Sequence, residues 1–267
     1  MDLVSIVVTT YNSSKTLLET LDSIKIQSYQ RLELIISDDY SNDDTILIAK
    51  KWVQENRERF ENIKIVVAKR NHGITKNCNI GVSQAKGKYI QLLGDEMLLC
   101  DAIEKKVAFA KKHHIGCVFS KIEPFGQNKR KVECVRKICE KEYQIIQAGW
   151  KMQRDMIVEK NFVVGPTGAF YLTDYFRKVG CYDTRFPMLE DYPFVWKYIL
   201  SGNKIILLDK VLLRYLIQDN SLSMSEVKNR RYLRSIRKFF FVYRLPALIR
   251  LKKYKIAWDQ LKCFLKL

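Results

Sequence analysis

The stretch LVSIVVTTYNSSKTLLETLDSIKIQSYQRLELIISDDYSND (residues 3–43) decides the fold. Its first segment, Leu3 to Thr9, is a short apolar run rich in β-branched residues, which is typical of a buried strand. Apolar residues then recur at helical spacing over 17–24, and a second strand-like run covers Leu32 to Ser37 before the acidic turn 38–42. The chain therefore opens with the order strand, helix, strand.

The same alternation continues beyond the acidic turn. Asp43 or Asp44 can cap a second helix, and the strand-like runs Ile63–Ala68 and Tyr89–Leu93 flank a third helical pattern over Thr75–Ala85. We therefore predict an α/β fold, a Rossmann-like and mostly parallel sheet with helices on both faces. Ligands of such sheets bind at the carboxyl ends of the strands, where acidic residues recur in this sequence.

From residue 116 onward the alternation loosens. The segment GCVFSKI (116–122) predicts a strand, and 127–141 is a polar, charged stretch with no predicted element. A helix from Glu190 or Asp191 to about residue 201 precedes a strand at Ile205–Leu208. These segments predict a second half that packs on the same sheet.

Composition limits the class of protein. With 47% apolar residues, the 267-residue chain can bury a substantial core. It carries 47 Lys and Arg against 29 Asp and Glu, so we expect an anionic partner such as nucleic acid, an acidic membrane surface or a phosphorylated small molecule. Seven cysteines without a CxxC pair argue against a disulfide framework and a zinc site, which favours a reduced, cytoplasmic protein. No signal peptide and no membrane span are predicted.

Positive charge is concentrated in the last residues, since Val227 to Leu267 hold 13 Lys and Arg against one acid. Apolar residues recur there at helical spacing, so we predict a tail, 226–267, of two basic amphipathic helices broken at Pro246. Such helices can lie on an anionic leaflet. The aromatic side chains expected near the acyl chains are Phe239, Phe241 and Trp258. The alternative is that the apolar faces pack on the main domain or on a second copy of the chain, as in a homodimer.

The first strand-to-helix turn, 9–14, holds no glycine, whereas the dinucleotide-binding pattern GxGxxG needs glycines there to bring the backbone close to a pyrophosphate. We therefore expect a divalent metal to handle any diphosphate, because carboxylate oxygens bind such ions and leave room for diphosphate oxygens. Asp95 and Glu96 directly follow the strand Tyr89–Leu93 and suit that role.

Five segments, in order, resemble family 2 glycosyltransferases of the GT-A fold. They are VSIVVTTYN (4–12), SDDYSND (37–43), NHGITKN (71–77) with IGVSQAKGKYIQLL (80–93), GDEMLL (94–99) and GCYDTRFPMLEDYPF (180–194). The resemblance covers roughly residues 3 to 225. It implies transfer of a sugar from a nucleotide-diphosphate donor, with inversion and with a divalent metal, Mn²⁺ or Mg²⁺.

The resemblance also assigns residues to the donor base and ribose, namely Thr9, Tyr11 and Asp39. A carboxylate at Asp39 suits uracil because it accepts the imide N–H in a charge-assisted hydrogen bond, while Tyr11 stacks on the ring. The simpler interpretation is that Asp38 and Asp39 only cap the helix that follows.

Four further residues are assigned to the diphosphate and the metal. Lys76 falls where the family often has arginine and would contact the diphosphate, with Asn77 beside it; the alternative is an ordinary exposed helix lysine. Asp95 and Glu96 take the place of the family's Asp-x-Asp signature and depart from it, because a glutamate replaces an aspartate. We place Asp95 on the ribose or on metal-bound water and Glu96 on the metal.

The pair Glu190–Asp191 resembles the family's catalytic Glu-Asp. Asp191 would remove the proton from the acceptor hydroxyl, and Glu190 would orient the acceptor or tune the base through like charge. The alternative is that both residues only cap the helix that starts there. The segment GPTG (165–168) resembles an acceptor-side loop, and Gln218 stands where many relatives carry a histidine able to reach the metal.

We therefore predict a glycosyltransferase domain at 1–225, with a nucleotide-sugar-binding half (1–100) and an acceptor-binding half (101–225), followed by the tail. The predicted donor is a UDP-sugar, and the predicted acceptor is a glycan or lipid-linked hydroxyl in cell-surface polysaccharide synthesis at the inner face of the membrane. A nucleotidyltransferase of similar fold is the alternative, but its glycine- and lysine-rich phosphate loop is missing from the sequence. A nucleic-acid-binding protein is less favoured, because no recognisable motif accompanies the charge.

Overall fold

The computed structural model describes residues 1–160, 169–217 and 230–265. Its strands are β1 (Val4–Thr10), β2 (Leu32–Asp38), β3 (Asn62–Val67), β4 (Tyr89–Leu93), β5 (Met97–Leu98), β6 (Cys117–Phe125), β7 (Ala169–Leu172) and β8 (Ile206–Leu216). Its α-helices are α1 (Leu17–Lys25), α2 (Thr45–Asn56), α3 (Ile74–Ser83), α4 (Ala102–His113), α5 (Lys129–Gln147), α6 (Trp150–Glu159), α7 (Thr173–Lys178), α8 (Asp191–Leu200), α9 (Arg230–Phe239), α10 (Leu245–Arg250) and α11 (Tyr254–Leu265). A 3₁₀ turn covers Arg57–Arg59, and a π-helical segment covers Phe240–Arg244.

Within the described residues, the strands form one sheet in the order β3-β2-β1-β4-β7-β6-β8-β5. Strands β1 to β4 are mutually parallel, β6 and β8 run parallel to each other, and β7 and β5 are antiparallel to their neighbours. The predicted α/β fold with a mostly parallel sheet is therefore confirmed. The sheet joins both predicted halves of the chain, because β4 of the first half pairs with β7 of the second.

Helices cover both faces of the sheet, as predicted. Successive side chains of a strand point to opposite faces, and β1 shows the consequence directly. Val7 packs in a cluster with α3, α8 and the C-terminal helices, whereas Ile6 and Val8 pack in a second cluster with α1, α2 and α4. A strand buried on both faces is apolar at nearly every position, which is why VSIVVT is a largely hydrophobic run; its buried Ser5 donates a hydrogen bond to Glu33.

Helix α5 is the largest element that sequence analysis missed. The region 127–141 was interpreted as a polar stretch, but a 19-residue helix begins at Lys129, and Asn128 caps it by accepting a hydrogen bond from the Lys131 amide at 3.1 Å. Only Tyr143 and Ile146 of this helix are buried. The apolar stripe was therefore too narrow for its periodicity to stand out.

The break predicted at Pro246 in the tail was wrong. Pro246 lies in the first turn of α10, directly after the π-helical segment Phe240–Arg244. Proline has no backbone N–H to donate to the preceding turn of the helix, and its ring crowds the carbonyl there. The wider π-helical turn before Pro246 accommodates both effects, so the helix continues. The helical run ends instead after Arg250, where Lys252 adopts a left-handed φ of 57°.

The tail also differs from the prediction in what it exposes. Phe239, expected near the acyl chains of a membrane, is 3% exposed and belongs to the core, whereas Phe241 and Trp258 are 38% and 58% exposed. None of the described helices, including these, combines the length and apolar composition of a membrane-spanning segment.

We expect Gly81→Ala to destabilise the protein, because α3 crosses β1 and β2 at that residue. A Cβ at Gly81 would overlap Val7 Cγ1 and lie 3.1 Å from Ser37 Cβ. Overpacking of this kind costs about 1 to 3 kcal/mol, against a gain of up to about 1 kcal/mol in helix propensity. Urea unfolding should show a lower midpoint for Gly81→Ala, while Ser83→Ala on the exposed end of the same helix leaves it nearly unchanged. Equal midpoints for the two variants would show that α3 has room at Gly81.

Candidate active site

The acidic residues singled out in the sequence lie at the carboxyl ends of neighbouring strands. Strand β1 sits between β2 and β4, so the turns after these three strands meet at the same edge of the sheet. Asp39 directly follows β2, and Asp95 and Glu96 follow β4. This edge is where ligands bind in open α/β sheets.

Asp38 and Asp39 do not cap helix α2, so that alternative was wrong. Asp38 accepts hydrogen bonds from the Thr10 hydroxyl at 2.7 Å and the Ser41 amide at 2.8 Å. Asp43, one of the two predicted caps, accepts from the Thr45 amide at 3.1 Å. Asp38 therefore stabilises the turn after β2, whereas the Asp39 carboxylate takes no part in that turn or in the helix cap.

Asp39 holds the backbone of the loop that precedes α3. Its two carboxylate oxygens accept hydrogen bonds from the amides of His72 and Gly73, each at 2.7 Å, and the residue is 2% exposed. Each carboxylate oxygen has a second lone pair, so the group retains capacity to accept a bond from a ligand. The structure thus gives Asp39 a positioning function that the sequence did not reveal.

The loop held by Asp39 contacts the segment that leads to Glu190 and Asp191. Gly73 has a φ of +90°, and a Cβ there would lie 2.7 Å from the carbonyl oxygen of Pro187. Thr75, in the first turn of α3, donates a hydrogen bond to the carbonyl of Phe186 at 2.7 Å. These contacts fix the spacing between the first half of the sheet and the acidic pair of the second half.

The two residues assigned to the diphosphate occupy different environments. Asn77 is 2% exposed, and its side-chain amide donates to the Ser37 carbonyl at 2.8 Å while its oxygen accepts from the Ser37 hydroxyl at 2.7 Å. Asn77 therefore joins α3 to β2 instead of pointing at a ligand, which corrects its predicted contact with the diphosphate. Lys76 is exposed, so its side chain remains accessible to a donor.

The residues assigned to the donor base and ribose also differ in exposure. Tyr11, after β1, is 52% exposed and therefore accessible to a donor. Thr9 is half-buried and donates to the Leu93 carbonyl at 3.2 Å.

Asp95 and Glu96 form a compact acidic turn. Asp95 accepts a hydrogen bond from the Thr16 hydroxyl at 2.7 Å, and Glu96 accepts from the Gly94 amide at 2.5 Å. No group of three or more His, Cys, Asp or Glu suited to a metal occurs in the part of the chain that the structure describes. Two carboxylates are nevertheless a suitable partial set of hard oxygen donors for Mg²⁺ or Mn²⁺, which takes its other ligands from phosphate and water.

Glu190 and Asp191 lie at the start of α8. The Glu190 side chain makes no capping hydrogen bond, whereas Asp191 accepts one from the Tyr192 amide at 2.7 Å. Burial raises the pKa of both carboxyl groups, and the negative charges of Asp191 and Glu96 raise that of Glu190 further. Near neutral pH the pair therefore favours a proton on Glu190 and an ionised Asp191.

The two acidic pairs lie near each other. Glu96 lies close enough to Glu190 for its charge to raise the pKa of that group, and burial together with the charges of Glu190 and Glu96 raises the pKa of the Cys78 thiol. Tyr215, at the end of β8, is influenced from both sides: burial and the charges of Glu96, Asp95 and Asp191 raise its pKa to about 12. Residues 95 and 191 are far apart in sequence, so this convergence is a product of the sheet topology.

Sequence analysis missed the tyrosines around Asp191. Burial and the charge of Asp191 raise the pKa of Tyr192, on α8, and of Tyr232, on α9. The largely apolar run KVLLRYLI (210–217) was the available signal for Tyr215, because it could have extended the predicted strand at Ile205–Leu208 as far as that residue. For Tyr232, helical periodicity alone does not say what the helix packs against. The predicted acceptor-side loop at 165–168 and the closing segment at Gln218 lie outside the described residues.

Comparison with known proteins gives one family. The model of the family described as "Glycosyl transferase family 2" matches residues 5–180. The putative glycosyltransferase EpsE of Bacillus subtilis is 39% identical over 111 residues, 41% of this chain and 39% of that protein. The UDP-Glc:alpha-D-GlcNAc-diphosphoundecaprenol beta-1,3-glucosyltransferase WfaP of Escherichia coli is 32% identical over 123 residues, 45% of this chain and 46% of that protein. Each alignment thus spans less than half of the relative.

Solved structures share the fold. The structure of S. aureus TarS in complex with UDP-GlcNAc has a TM-score of 0.65 at 21% identity, covering 88% of this chain and 65% of that one. The mannosyltransferase PcManGT from Pyrobaculum calidifontis, in complex with GDP-Man and Mn²⁺, has a TM-score of 0.62 at 15% identity, covering 98% and 74%. At these identities the likeness shows the GT-A fold.

We expect Asp39→Asn to loosen the loop at residues 72–73. An asparagine side chain accepts with its one oxygen only, so one of the two amides loses a partner that was charged, at a cost of about 1.5 to 3 kcal/mol. Hydrogen exchange at the amides of His72 and Gly73 should accelerate, and the unfolding midpoint should fall. Asp44→Asn is the control, because Asp44 is exposed and makes no capping bond. Slow exchange retained in Asp39→Asn would contradict the positioning function.

Proposed function

The chain belongs to glycosyl transferase family 2, and we propose that it transfers a sugar from a nucleotide-diphosphate donor to a hydroxyl of a glycan or lipid-linked acceptor, with inversion. The observation that carries this proposal is the proximity of the Asp95–Glu96 turn to Glu190 and Asp191. A glycosyl transfer needs positive charge for the leaving diphosphate and a base for the incoming hydroxyl. The first pair could hold the cation that supplies this charge, and Asp191 could be the base.

We propose that the donor is a UDP-sugar. Asp39 retains lone pairs for a uracil imide, and the exposed ring of Tyr11 is free to stack on the base. The names of TarS complexed with UDP-GlcNAc and of the UDP-Glc-dependent WfaP support this choice. A GDP-sugar is the alternative donor, because PcManGT, which has the same fold, binds GDP-Man.

The acidic turn would hold a divalent ion against the donor diphosphate. We place Glu96 on the metal and Asp95 on the ribose or on metal-bound water, and the Mn²⁺ complex of PcManGT supports a divalent cofactor. When bound, such an ion supplies positive charge to the departing nucleoside diphosphate. Lys76 adds a further cation at the exposed start of α3.

Asp191 would act as the base of a single displacement. Its carboxylate takes the proton of the acceptor hydroxyl, and the oxygen forms a bond to the anomeric carbon of the donor sugar. The bond from that carbon to the diphosphate oxygen breaks on the opposite face, so the configuration inverts. Glu190 keeps its own proton near neutral pH and can donate a hydrogen bond that orients the acceptor.

We further propose that the tail rests on an anionic membrane surface, where a lipid-linked acceptor is found in polysaccharide synthesis. Its exposed apolar side chains define a tail surface: Phe241, Val242, Ile249, Leu251, Tyr254 and Trp258. The cations among residues 230–265 surround these side chains in sequence, with Asp259 as the one acid. Charge of that sign complements anionic headgroups, each nearby cation adding about 1 kcal/mol. This places the enzyme peripherally at the inner face of the membrane.

Asp191→Asn should reduce transfer by roughly 10²-fold or more, since the base is lost, while binding of UDP-sugar is retained. In the wild type, the raised pKa of Asp191 means that the base is protonated at a pH where an ordinary aspartate, of pKa about 3.9, is already ionised. Turnover should therefore fall on the acid side with a midpoint well above pH 4, and it should fall again above neutral pH, where Glu190 loses the proton with which it orients the acceptor. The measurement is nucleoside-diphosphate release as a function of pH, with donor affinity followed by calorimetry.

Two results would contradict this assignment of the base. One is full turnover by Asp191→Asn, and the other is an acid limb near pH 4 in the wild type. Lys197→Gln, on the later turns of α8, is a control for disturbance of the helix and should keep the wild-type pH profile.

The tail proposal predicts that Phe241→Ser with Trp258→Ser weakens binding to vesicles of phosphatidylglycerol and phosphatidylcholine by about tenfold or more, because two aromatic side chains no longer reach the acyl boundary. Leu47→Ser, at a position that is also exposed but lies on α2, is the control and should bind like the wild type. Binding should also weaken as salt increases. Sedimentation with vesicles measures all three, and an unchanged partition of the double variant would refute the surface.

A further inference from the structure

The tail is built into the core of the catalytic domain. Phe239 of α9 packs against three rings of the domain, with centroid distances of 5.4 Å to Trp196, 5.8 Å to Phe186 and 6.1 Å to Tyr192. Leu248 of α10 and Ala257 of α11 are buried in the same cluster. The C-terminal helices therefore pack on the elements that carry Glu190 and Asp191.

Polar contacts anchor the same interface. The Tyr243 hydroxyl donates to Asp183 at 2.9 Å and accepts from Arg185 at 2.6 Å, while Arg185 also pairs with Asp183 at 2.7 Å. Further along, Gln260 donates to the backbone carbonyl of Glu159 at 2.7 Å, and the Lys253 ammonium pairs with the Glu159 carboxylate. Contacts at both ends hold the tail in one position on the domain.

The ring contacts also fix the direction of α9. Tyr192 faces Phe239, and one turn later Trp196 faces Tyr243 at 6.2 Å, so α8 and the helical run from α9 onward advance in the same direction. The residues of α9 that precede Phe239 therefore lie beyond the start of α8, which is where Asp191 stands.

Tyr232 lies on that part of α9. It precedes Phe239 by seven residues, two helical turns, and so shares its face. It is half-buried against the same cluster as Tyr192. A second observation agrees with this helix direction: burial and the negative charges of Asp191 and Glu190 raise the pKa of the Tyr232 phenol. The phenol is therefore near the proposed base, and the residue is partly exposed.

We propose that α9 forms the acceptor-side wall of the active site and that Tyr232 is an acceptor-binding residue, which holds the acceptor sugar over Asp191. This rests on the proposed glycosyl transfer and extends it to a segment outside the matched family region, 5–180. A phenol suits the task because its hydroxyl can bond a sugar hydroxyl while its ring packs on the apolar face of a pyranose. The segment proposed to meet the membrane is then also the segment that binds the acceptor.

Among the described residues, titratable groups close to Asp191 come from several elements. They are Glu190 and Tyr192 at the start of α8, Tyr171 on β7, Tyr215 on β8 and Tyr232 on α9. Of these, Tyr171 is 1% exposed and bonded to the Tyr182 hydroxyl, so it is committed to the core. Tyr232 is the member of this set supplied by the tail.

The test compares Tyr232→Phe and Tyr232→Ala with the wild type and with Leu47→Ala, an exposed substitution on α2. The donors are UDP-GlcNAc and UDP-Glc, and the acceptor probe is a short-chain alkyl diphosphate ester of GlcNAc. UDP release is measured without acceptor, as hydrolysis, and with acceptor, as transfer. We expect Tyr232→Phe to raise the acceptor KM about fivefold and Tyr232→Ala more, with donor KM and hydrolysis within about twofold of the wild type.

The outcomes separate this proposal from the function on which it rests. If the wild type turns over neither donor, the proposed UDP-sugar function fails. If hydrolysis and transfer fall in parallel in the Tyr232 variants, or neither changes, the wall proposal is overturned and Tyr232 is merely structural or unimportant. If the wild type hydrolyses the donor but does not transfer sugar to the probe, the pH dependence of hydrolysis provides the test. Tyr232→Ala should admit water to Asp191, lower its pKa and so move the acid limb of the hydrolysis profile to lower pH. An acid limb at the same pH as in the wild type would overturn the proposal.

Discussion

Repulsion between carboxyl groups that the fold brings close together is the constraint on which the rest of the site depends. Asp95 and Glu96 follow β4, Glu190 and Asp191 open α8, and the charge of Glu96 reaches Glu190. Like charges in a partly buried site are unfavourable unless a proton or a cation offsets them. A raised pKa at Glu190 offsets part of this repulsion, because the protonated carboxyl group is neutral. The donor and the divalent ion that we propose would offset more of it.

The sheet and the loop contacts hold these groups at a fixed spacing. Pairing of β4 with β7 joins the two halves of the sheet, while Asp39, Gly73 and Pro187 form a chain of contacts from the end of β2 to the segment before Glu190. The C-terminal helices pack beside these groups, because Phe239 and Tyr243 contact Tyr192 and Trp196 of α8. The tail is therefore a structural neighbour of Asp191, so the membrane contact and the acceptor binding that we propose would involve the same helices.

Much of the fold followed from the sequence for a simple reason: buried parallel strands are largely apolar runs, so β1, β2 and β4 were placed within one residue. The partly exposed edge strand β3 was placed equally well from its β-branched run IKIVV. Helix α5 was missed because only two of its residues are buried. The acidic pairs could be found from motifs, but their convergence could not, since it depends on tertiary packing. Tertiary packing also decides the environment of Asn77, whose side-chain amide donates to the Ser37 carbonyl. It likewise decides that of Phe239, which is buried although its Arg and Lys neighbours in sequence suggested a surface helix.

The most direct measurement is paramagnetic broadening by Mn²⁺ added with UDP to the isotopically labelled chain. If both acidic pairs face one cleft, the ion held at Asp95 and Glu96 should broaden the amide resonances of Asp191 and Tyr192 as well as those of the acidic turn, and Glu96→Gln should weaken both effects together. Broadening confined to the acidic turn, with the resonances at the start of α8 unaffected, would contradict a shared cleft.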